Sequence, residues 1–142
     1  MLKVIVVSHG PLAEALMASA RMVYGELPHT SYVSLSDTGG IEAFKQDFAA
    51  ELQRVGSGAD GMLVLCDLLC GTPYNVVCRH AFDPQGGLPM AVITGVNFPM
   101  LLMSADLLEG TDVQQAAQAL VAQGCEAIVF AQPVETVQQD DF

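Results

Sequence analysis

Apolar and polar residues follow one another along the chain in blocks that predict strands and helices in alternation. Short runs rich in Val, Ile and Leu have the length of strands and little polar interruption, which is typical of strands buried on both faces of a sheet. Longer segments between them repeat apolar residues every three or four positions, the spacing of a helix with one buried face. The predicted strands are 2–7, 31–35, 62–66, 90–94 and 127–131, and the predicted helices are 11–24, 41–55, 72–82, 98–108 and 111–123. Thr111 and Gln114 are expected to form a capping box at the start of the last helix.

This alternation predicts a single α/β domain over residues 1–131, followed by a polar C-terminal tail at 132–142. We expect an open, mostly parallel sheet with helices on both faces. In such folds ligands bind beyond the carboxyl ends of the strands, where the winding reverses. Reactive residues are therefore expected directly after strands, and the segments 8–10, 67–75 and 95–99 occupy such positions.

The charge of the chain limits the classes of partner that it can bind. Of 142 residues, sixteen are Asp or Glu and only five are Lys or Arg, which gives a net charge of −11. Nucleic acid and anionic lipid would repel such a surface, so neither is expected as a partner. A protein with a basic docking face would be attracted instead.

Neither a membrane span nor a secretory signal is predicted. Residues 84–105 carry no charge and are long enough to cross a bilayer, but several Gly and Pro residues break them into short pieces. The apolar run at 4–7 is too short for a signal peptide. We therefore expect a soluble, cytoplasmic protein whose four cysteines stay reduced, and the single C-x3-C spacing is too little for a zinc site.

Among the three histidines, His9 has the position expected of a reactive group. It stands at the C-terminal end of a buried strand, and the turn Gly10-Pro11 behind it opens directly onto a helix. His29 is expected in a surface loop and His80 late in a helix, where both are interpreted as ordinary solvated or packed side chains.

A second set of candidate residues begins at Asp67, which ends an apolar strand. A partly buried carboxylate needs a partner. Beside an imidazole it would bind Nδ1–H and leave Nε2 free as a nucleophile. Further on, Thr72-Pro73 predicts a helix start with Thr72 as N-cap and Pro73 at the first helical position, and the free N–H groups there favour an anion. Gly71-Thr72-Pro73 is also ordinary helix capping in any α/β protein.

The absent motifs argue against a nucleotide-dependent kinase. The chain has no G-x-x-x-x-G-K-[ST] phosphate loop, no basic residue in the three loops and no carboxylate cluster for magnesium. We expect neither metal nor cofactor. One nucleophilic histidine with an orienting acid and only backbone or hydroxyl donors would hold a single phosphoryl group lightly, which suits a relay.

Three motifs together resemble the IIA domains of the mannose-family sugar phosphotransferase system (PTS). They are Ser8-His9-Gly10, the segment DLLCGTPYN at 67–75 and the segment GVNFPML at 95–101. The resemblance implies a sheet of four parallel strands with a fifth, antiparallel strand exchanged between the protomers of a homodimer. Residues 127–131 would form that exchanged strand.

The same resemblance implies a phosphotransferase that works through a phosphohistidine and needs no cofactor. His9 would accept a phosphoryl group on Nε2 from phospho-HPr and donate it to a IIB protein, which serves a membrane IIC/IID permease for mannose-class sugars (mannose, fructose, sorbose or amino sugars). Asp67 would hydrogen-bond His9, and Gly71 and Thr72 would lie beside the phosphate. Cys70 stands where the family often has Gly. Because the chain stops soon after the length of a IIA domain, the IIB partner is expected on a separate polypeptide.

Three alternatives remain open from the sequence. A related phosphocarrier subunit feeds dihydroxyacetone kinase, but it usually carries Gly-Ser-Ala where Gly71-Thr72-Pro73 stands here. A cysteine hydrolase could use Cys70 as nucleophile with His9 as base and Asp67 as orienting acid. A non-catalytic regulatory module could bind partners in only one phosphorylation state of His9.

Overall fold

The computed structural model of the chain describes residues 1–133. Strands and helices alternate along this part, as the hydrophobic pattern predicts. The elements are β1 (Leu2–His9), α1 (Leu12–Val23), β2 (Thr30–Leu35), α2 (Gly40–Gly56), β3 (Gly61–Cys66), α3 (Thr72–Ala81), β4 (Met90–Ile93), α4 (Phe98–Ser104), a short 3₁₀ turn (Ala105–Leu107) and α5 (Val113–Glu126).

The four strands form one parallel sheet in the order β2-β1-β3-β4. The predicted α/β class and its parallel four-stranded sheet are thus confirmed. From β1 the chain first adds β2 on one side and then returns across β1 to add β3 on the other, so the winding reverses between β1 and β3. Their register pairs Val7 with Cys66, which brings the carboxyl ends of the two strands to the same edge.

Side chains of the sheet alternate between two hydrophobic cores, because successive residues of a strand point to opposite faces. In β1, Leu2, Val4 and Val6 face α1, α4 and α5, whereas Ile5 and Val7 face α2 and α3. All five side chains are fully buried. Burial of each contributes about 1.5–3 kcal/mol, so helices on both faces hold the strand ends in place.

The start of α3 differs by one residue from the prediction. Its N-cap is Gly71 rather than Thr72, and Pro73 is the second helical residue. The Gly71 carbonyl accepts the first helical hydrogen bond from Asn75 N–H at 3.0 Å. At φ +97° the Gly71 backbone has a conformation that favours glycine, which explains why the cap falls there and not on Thr72.

The predicted capping box of α5 is also corrected. The N-cap is Asp112, not Thr111, and its Oδ1 accepts hydrogen bonds from the N–H groups of Gln114 and Gln115, both at 3.1 Å. The extended backbone of Asp112 places its short carboxylate within reach of both donors, so one side chain satisfies two helix-terminal N–H groups.

The C-terminal elements also end at different residues than predicted. The α-helical part of α4 stops at Ser104, whose hydroxyl donates to the Leu101 carbonyl at 2.6 Å, and the 3₁₀ turn follows. Helix α5 extends to Glu126.

Residues 127–131 pair with no strand of the described chain, so their exchange with a second copy stays a prediction. Most of the predicted tail lies outside the described residues. Within the described part, no helix is long and apolar enough to cross a bilayer.

Candidate active site

His9 and Asp67 meet at the edge where the winding of the sheet reverses. His9 is the last residue of β1, and Asp67 directly follows the last residue of β3. The Asp67 N–H donates to the Val7 carbonyl at 3.3 Å, which continues the pairing of the two strands by one more bond. The sheet itself therefore sets the position of both side chains.

One carboxylate oxygen binds both the backbone and the ring of His9. Asp67 Oδ2 accepts from the His9 backbone N–H at 2.9 Å and lies 2.8 Å from His9 Nδ1. The other oxygen, Oδ1, accepts from the Leu68 N–H at 2.9 Å. The Asp67 side chain is only 8% exposed, whereas the imidazole is 42% exposed. The acid is thus held within the protein and the ring reaches solvent.

The pKa of Asp67 reflects two opposing effects. Burial raises it, but hydrogen bonds from the His9 backbone and imidazole, together with the Leu68 N–H, lower it more, so the net pKa is below its ordinary value. An ionised carboxylate only accepts hydrogen bonds, and the proton between the two side chains must therefore be on Nδ1. In the neutral ring, Nε2 then carries a free lone pair.

The N-terminus of α3 lies against that nitrogen. A methyl carbon placed on Gly71 would be 2.9 Å from His9 Nε2 and 3.0 Å from Cε1, so only a bare backbone fits there. Within the described residues, no side chain caps α3. The N–H groups of Thr72 and Tyr74 belong to the first turn, where a helix offers no internal partner, and Pro73 has no N–H. The helix dipole adds to their attraction for an anion.

Ser8 holds the turn behind His9, a role that the sequence analysis missed. The residue is fully buried, and its hydroxyl accepts from the Ala13 N–H at 2.8 Å and donates to the Gly10 carbonyl at 3.2 Å. The Gly10 N–H donates to the Leu35 carbonyl at 2.6 Å. A polar residue inside an otherwise apolar strand needs buried partners, and that signal could have identified Ser8.

The third predicted loop, residues 95–99, has a structural role. Asn97 is the N-cap of α4, with Oδ1 accepting from Met100 N–H at 3.0 Å and Nδ2 donating to the Gly124 carbonyl in α5 at 3.1 Å. The Val96 N–H donates to the Cys66 carbonyl at 3.0 Å. The polar side chain of Asn97 is therefore used within the fold, unlike the imidazole of His9, which reaches solvent.

The other candidate side chains have ordinary surroundings. Burial raises the pKa of the Cys66 thiol to about 12, which keeps it protonated and unreactive. Cys70 is exposed. The ring of His80 packs edge-on against Phe48 with the centroids 5.3 Å apart. In the part of the chain described here, no group of three or more His, Cys, Asp or Glu side chains is placed to hold a metal ion.

Comparisons with known proteins identify the family of the chain. Residues 3–123 match the EIIA-man family, described as the PTS system fructose IIA component. The chain is 31% identical to the sorbose-specific EIIA component of Klebsiella pneumoniae, with 99% of both chains covered. It is 28% identical to the mannose-specific EIIAB component of Escherichia coli K12, where the match covers 93% of this chain and 41% of the relative.

The fold is shared with a solved structure of the same kind. The mannose/sorbose-specific IIA subunit from Enterococcus faecalis superimposes with a TM-score of 0.78 at 32% identity, covering 95% of this chain and 98% of that one. Members of this family are phosphotransferases that act through a phosphohistidine. The chain therefore belongs to the mannose-family IIA components and is a phosphoryl carrier of the sugar phosphotransferase system.

Proposed function

We propose that His9 is the phosphorylated residue and that Nε2 is the atom that takes the phosphoryl group. The observation that carries this proposal is that the two nitrogens of the His9 ring have different surroundings. Nδ1 is bound by Asp67, while Nε2 lies against Gly71 at the uncapped start of α3. The nucleophilic atom thus has a free lone pair and faces donors suited to an anion.

In the transfer, His9 Nε2 attacks the phosphorus of a phosphohistidine on the donor protein. The new N–P bond forms as the donor's N–P bond breaks, and the donor imidazole leaves with the electron pair. The His9 ring becomes positive, and the ionised Asp67 stabilises that charge through Nδ1–H. The phosphoryl oxygens bind the N–H groups at the start of α3 and the hydroxyl of Thr72. The same steps in reverse deliver the group to an acceptor.

HPr is the proposed donor, and a IIB protein that serves a membrane IIC/IID permease for mannose-class sugars is the proposed acceptor. The transfer would take place in the cytoplasm. Three exposed leucines adjoin the site in sequence: Leu12 is 45% exposed, Leu68 51% and Leu69 68%. Apolar side chains at the centre of a docking face favour an apolar partner surface. The acidic charge of the chain favours basic residues around it.

A homodimer with an exchanged strand is the proposed assembly. Residues 127–131 follow α5, and Ile128, Val129 and Phe130 are 74%, 76% and 87% exposed. Three consecutive apolar side chains at that exposure favour a partner surface. An antiparallel strand added to the sheet of a second copy would bury them and pair their backbone groups.

The decisive experiment is a phosphorylation assay with phosphoenolpyruvate, the first enzyme of the relay and HPr. We expect one phosphate on His9, lost in acid and stable in base, as for a phosphoramidate. His9→Ala should accept none, while His80→Ala, which removes a packed histidine far along α3, should be labelled normally. Asp67→Ala should accept phosphate ~10² to 10⁴ times more slowly, because it loses the group that orients the ring.

The label position and the acceptor separate this proposal from its rivals. Phosphate on a serine or on Cys70 would contradict the assignment of His9. The carrier should retain its activity in Cys70→Gly, whereas a cysteine hydrolase would lose it. Transfer from the phosphorylated chain to dihydroxyacetone kinase, but not to a IIB protein, would instead favour the related phosphocarrier.

A further inference from the structure

A cavity opens at the edge of the sheet where β1 and β2 begin, opposite to the edge that carries His9. Its volume is about 300 Å³. The start of β1, the start of β2 and the end of α2 line it with Lys3, His29, Thr30, Ser31, Arg54 and Val55. Because β1 runs from this edge to the edge that carries His9, the cavity and the phosphorylation site lie at opposite ends of one strand.

The charge of this lining is opposite to that of the chain. The chain has five Lys and Arg residues against sixteen Asp and Glu, yet two of the five line the cavity together with the imidazole of His29, and none of its lining residues is acidic. Within the described residues Lys3 forms no ion pair, and its Nζ donates only to the Ser57 carbonyl at 3.4 Å. A cation without a carboxylate partner is available to an anionic ligand.

Arg54 is partly occupied by a neighbour outside the cavity. Glu51 accepts from its Nε at 3.1 Å and from its Nη2, which leaves Nη1 without a partner among the described residues. The hydrogen bond from Arg54 outweighs burial and lowers the pKa of Glu51, so the pair stays ionised at neutral pH. Arg54 therefore supplies a hydrogen-bond donor to the cavity. Lys3 supplies a positive charge that no carboxylate of the described residues neutralises.

Two residues of the lining have unusual surroundings or backbone geometry. The Ser31 hydroxyl is buried and makes no hydrogen bond of normal geometry with any described residue, although it lies near enough to Glu51 to help lower the pKa of that carboxyl. His29 has φ +50°, a left-handed backbone that side chains rarely adopt. Unsatisfied hydroxyls and strained residues concentrate where a ligand binds.

We propose that this cavity is an anion site, separate from His9, that binds a phosphate monoester. Lys3 Nζ and Arg54 Nη1 would bind the phosphate oxygens, and the Ser31 hydroxyl would add a third donor. The remaining volume has room for a small organic group next to the phosphate. The proposal does not depend on the function of His9.

The test is an NMR titration of the ¹⁵N-labelled chain with glycerol 3-phosphate, with inorganic phosphate and glycerol as separate arms. We expect the amides of Thr30 and Ser31 to shift with glycerol 3-phosphate, more weakly with phosphate and not with glycerol. His9→Ala should bind equally well, because its phosphate site lies at the other edge. Shifts confined to Gly71 and Thr72, or none at all, would contradict the proposal.

Charge variants test the lining directly. Lys3→Met should weaken binding at least about tenfold, since a charged hydrogen bond is lost, and Lys3→Arg should restore most of it. The matched control is Lys45→Met, which removes a lysine that pairs with Glu42 on α2 and does not line the cavity. Equal affinity in Lys3→Met and Lys45→Met would overturn the assignment. If Lys3→Met does not fold, Ser31→Ala provides the same comparison.

Discussion

Helices α3 and α4 begin in nearly the same way in sequence but differ at their N-caps. Both start at the same edge of the sheet after a strand, and both have proline as the second helical residue. The N-cap of α3 is Gly71, which has no side chain, whereas the N-cap of α4 is Asn97, whose side chain accepts from Met100 N–H. No side chain accepts a hydrogen bond from the first N–H groups of α3, whereas in α4 the Asn97 side chain accepts from one of them.

This difference determines which loop can receive an anion. The cap side chain of α4 occupies the position in front of the helix where a ligand would bind, and its amide is also bonded to Gly124. The bare start of α3 instead lies against the ring of His9. A strand end with polar residues is therefore not sufficient for a site. What matters is whether those residues retain unsatisfied donors next to a reactive group.

Among changes to the two helix starts, the largest effect is expected from adding one methyl group at the start of α3. Gly71→Ala should slow phosphoryl acceptance by ~10² or more, because the new carbon would lie 2.9 Å from His9 Nε2 and displace the ring from its attacking position. The measurement is the initial rate of labelling from phospho-HPr.

The matched control for this change is Gly95→Ala, in the loop that precedes α4. Gly95 also has a positive φ, +71°, but an added carbon there meets no atom within 4 Å. Gly95→Ala should lose roughly 1–2 kcal/mol of stability from backbone strain. Gly71→Ala, at φ 97° and ψ 178°, should lose about 1–3 kcal/mol, and only Gly71→Ala should lose activity. Equal rates in the two variants would show that the contact between Gly71 and the ring is unimportant for transfer.

Much of this arrangement could be predicted from the sequence because it follows from strong, local patterns. The continuous apolar runs of β1 and β3 define buried parallel strands, and the end of each strand marks His9 and Asp67. Parallel strands bring their carboxyl ends to one edge, so the proximity of these two residues follows from topology. The family resemblance adds the direction of transfer.

The sequence pattern did not predict features that depend on individual hydrogen bonds. Thr72 and Thr111 were the expected caps, because Thr is a good N-cap residue, but the structure uses Gly71 and Asp112. The choice depends on backbone angles that the residue types do not specify. Likewise, Asn97 lies shortly after a strand, as Asp67 does, and only the position of α5 shows that its side chain is used within the fold.

A moderate effect on stability is expected when the α4 cap is removed. Asn97→Ala loses the bond to Met100 N–H and the link to Gly124 in α5, which should lower the free energy of unfolding by about 1–2 kcal/mol. Phosphoryl acceptance by the folded variant should stay within about twofold of the parent chain. Urea unfolding together with the labelling assay measures both quantities.

The control for Asn97→Ala is Asn75→Ala, which removes an exposed amide on α3. Its free energy of unfolding should change by less than about 0.5 kcal/mol. If Asn97→Ala slowed labelling as strongly as Gly71→Ala, the distinction between a structural and a reactive helix start would fail.

The smallest effect should appear in the pH dependence of stability, because α3 lies beside an ionised group and α4 is capped by a neutral one. The pKa of Asp67 is lower in the folded chain than its ordinary value of 3.8. The unfolded chain therefore binds a proton more readily than the folded one as pH falls. The stabilisation from the ionised carboxylate should be fully present above pH 3.8 and decrease below it. We expect a contribution of about 1 kcal/mol or less, measured as the difference in unfolding free energy between the parent chain and Asp67→Asn.

The corresponding difference for Asn97→Ala should not change over the same pH range, because an amide does not titrate. A parallel decrease in both differences would mean that the acid sensitivity comes from the rest of the protein and not from the carboxylate beside His9.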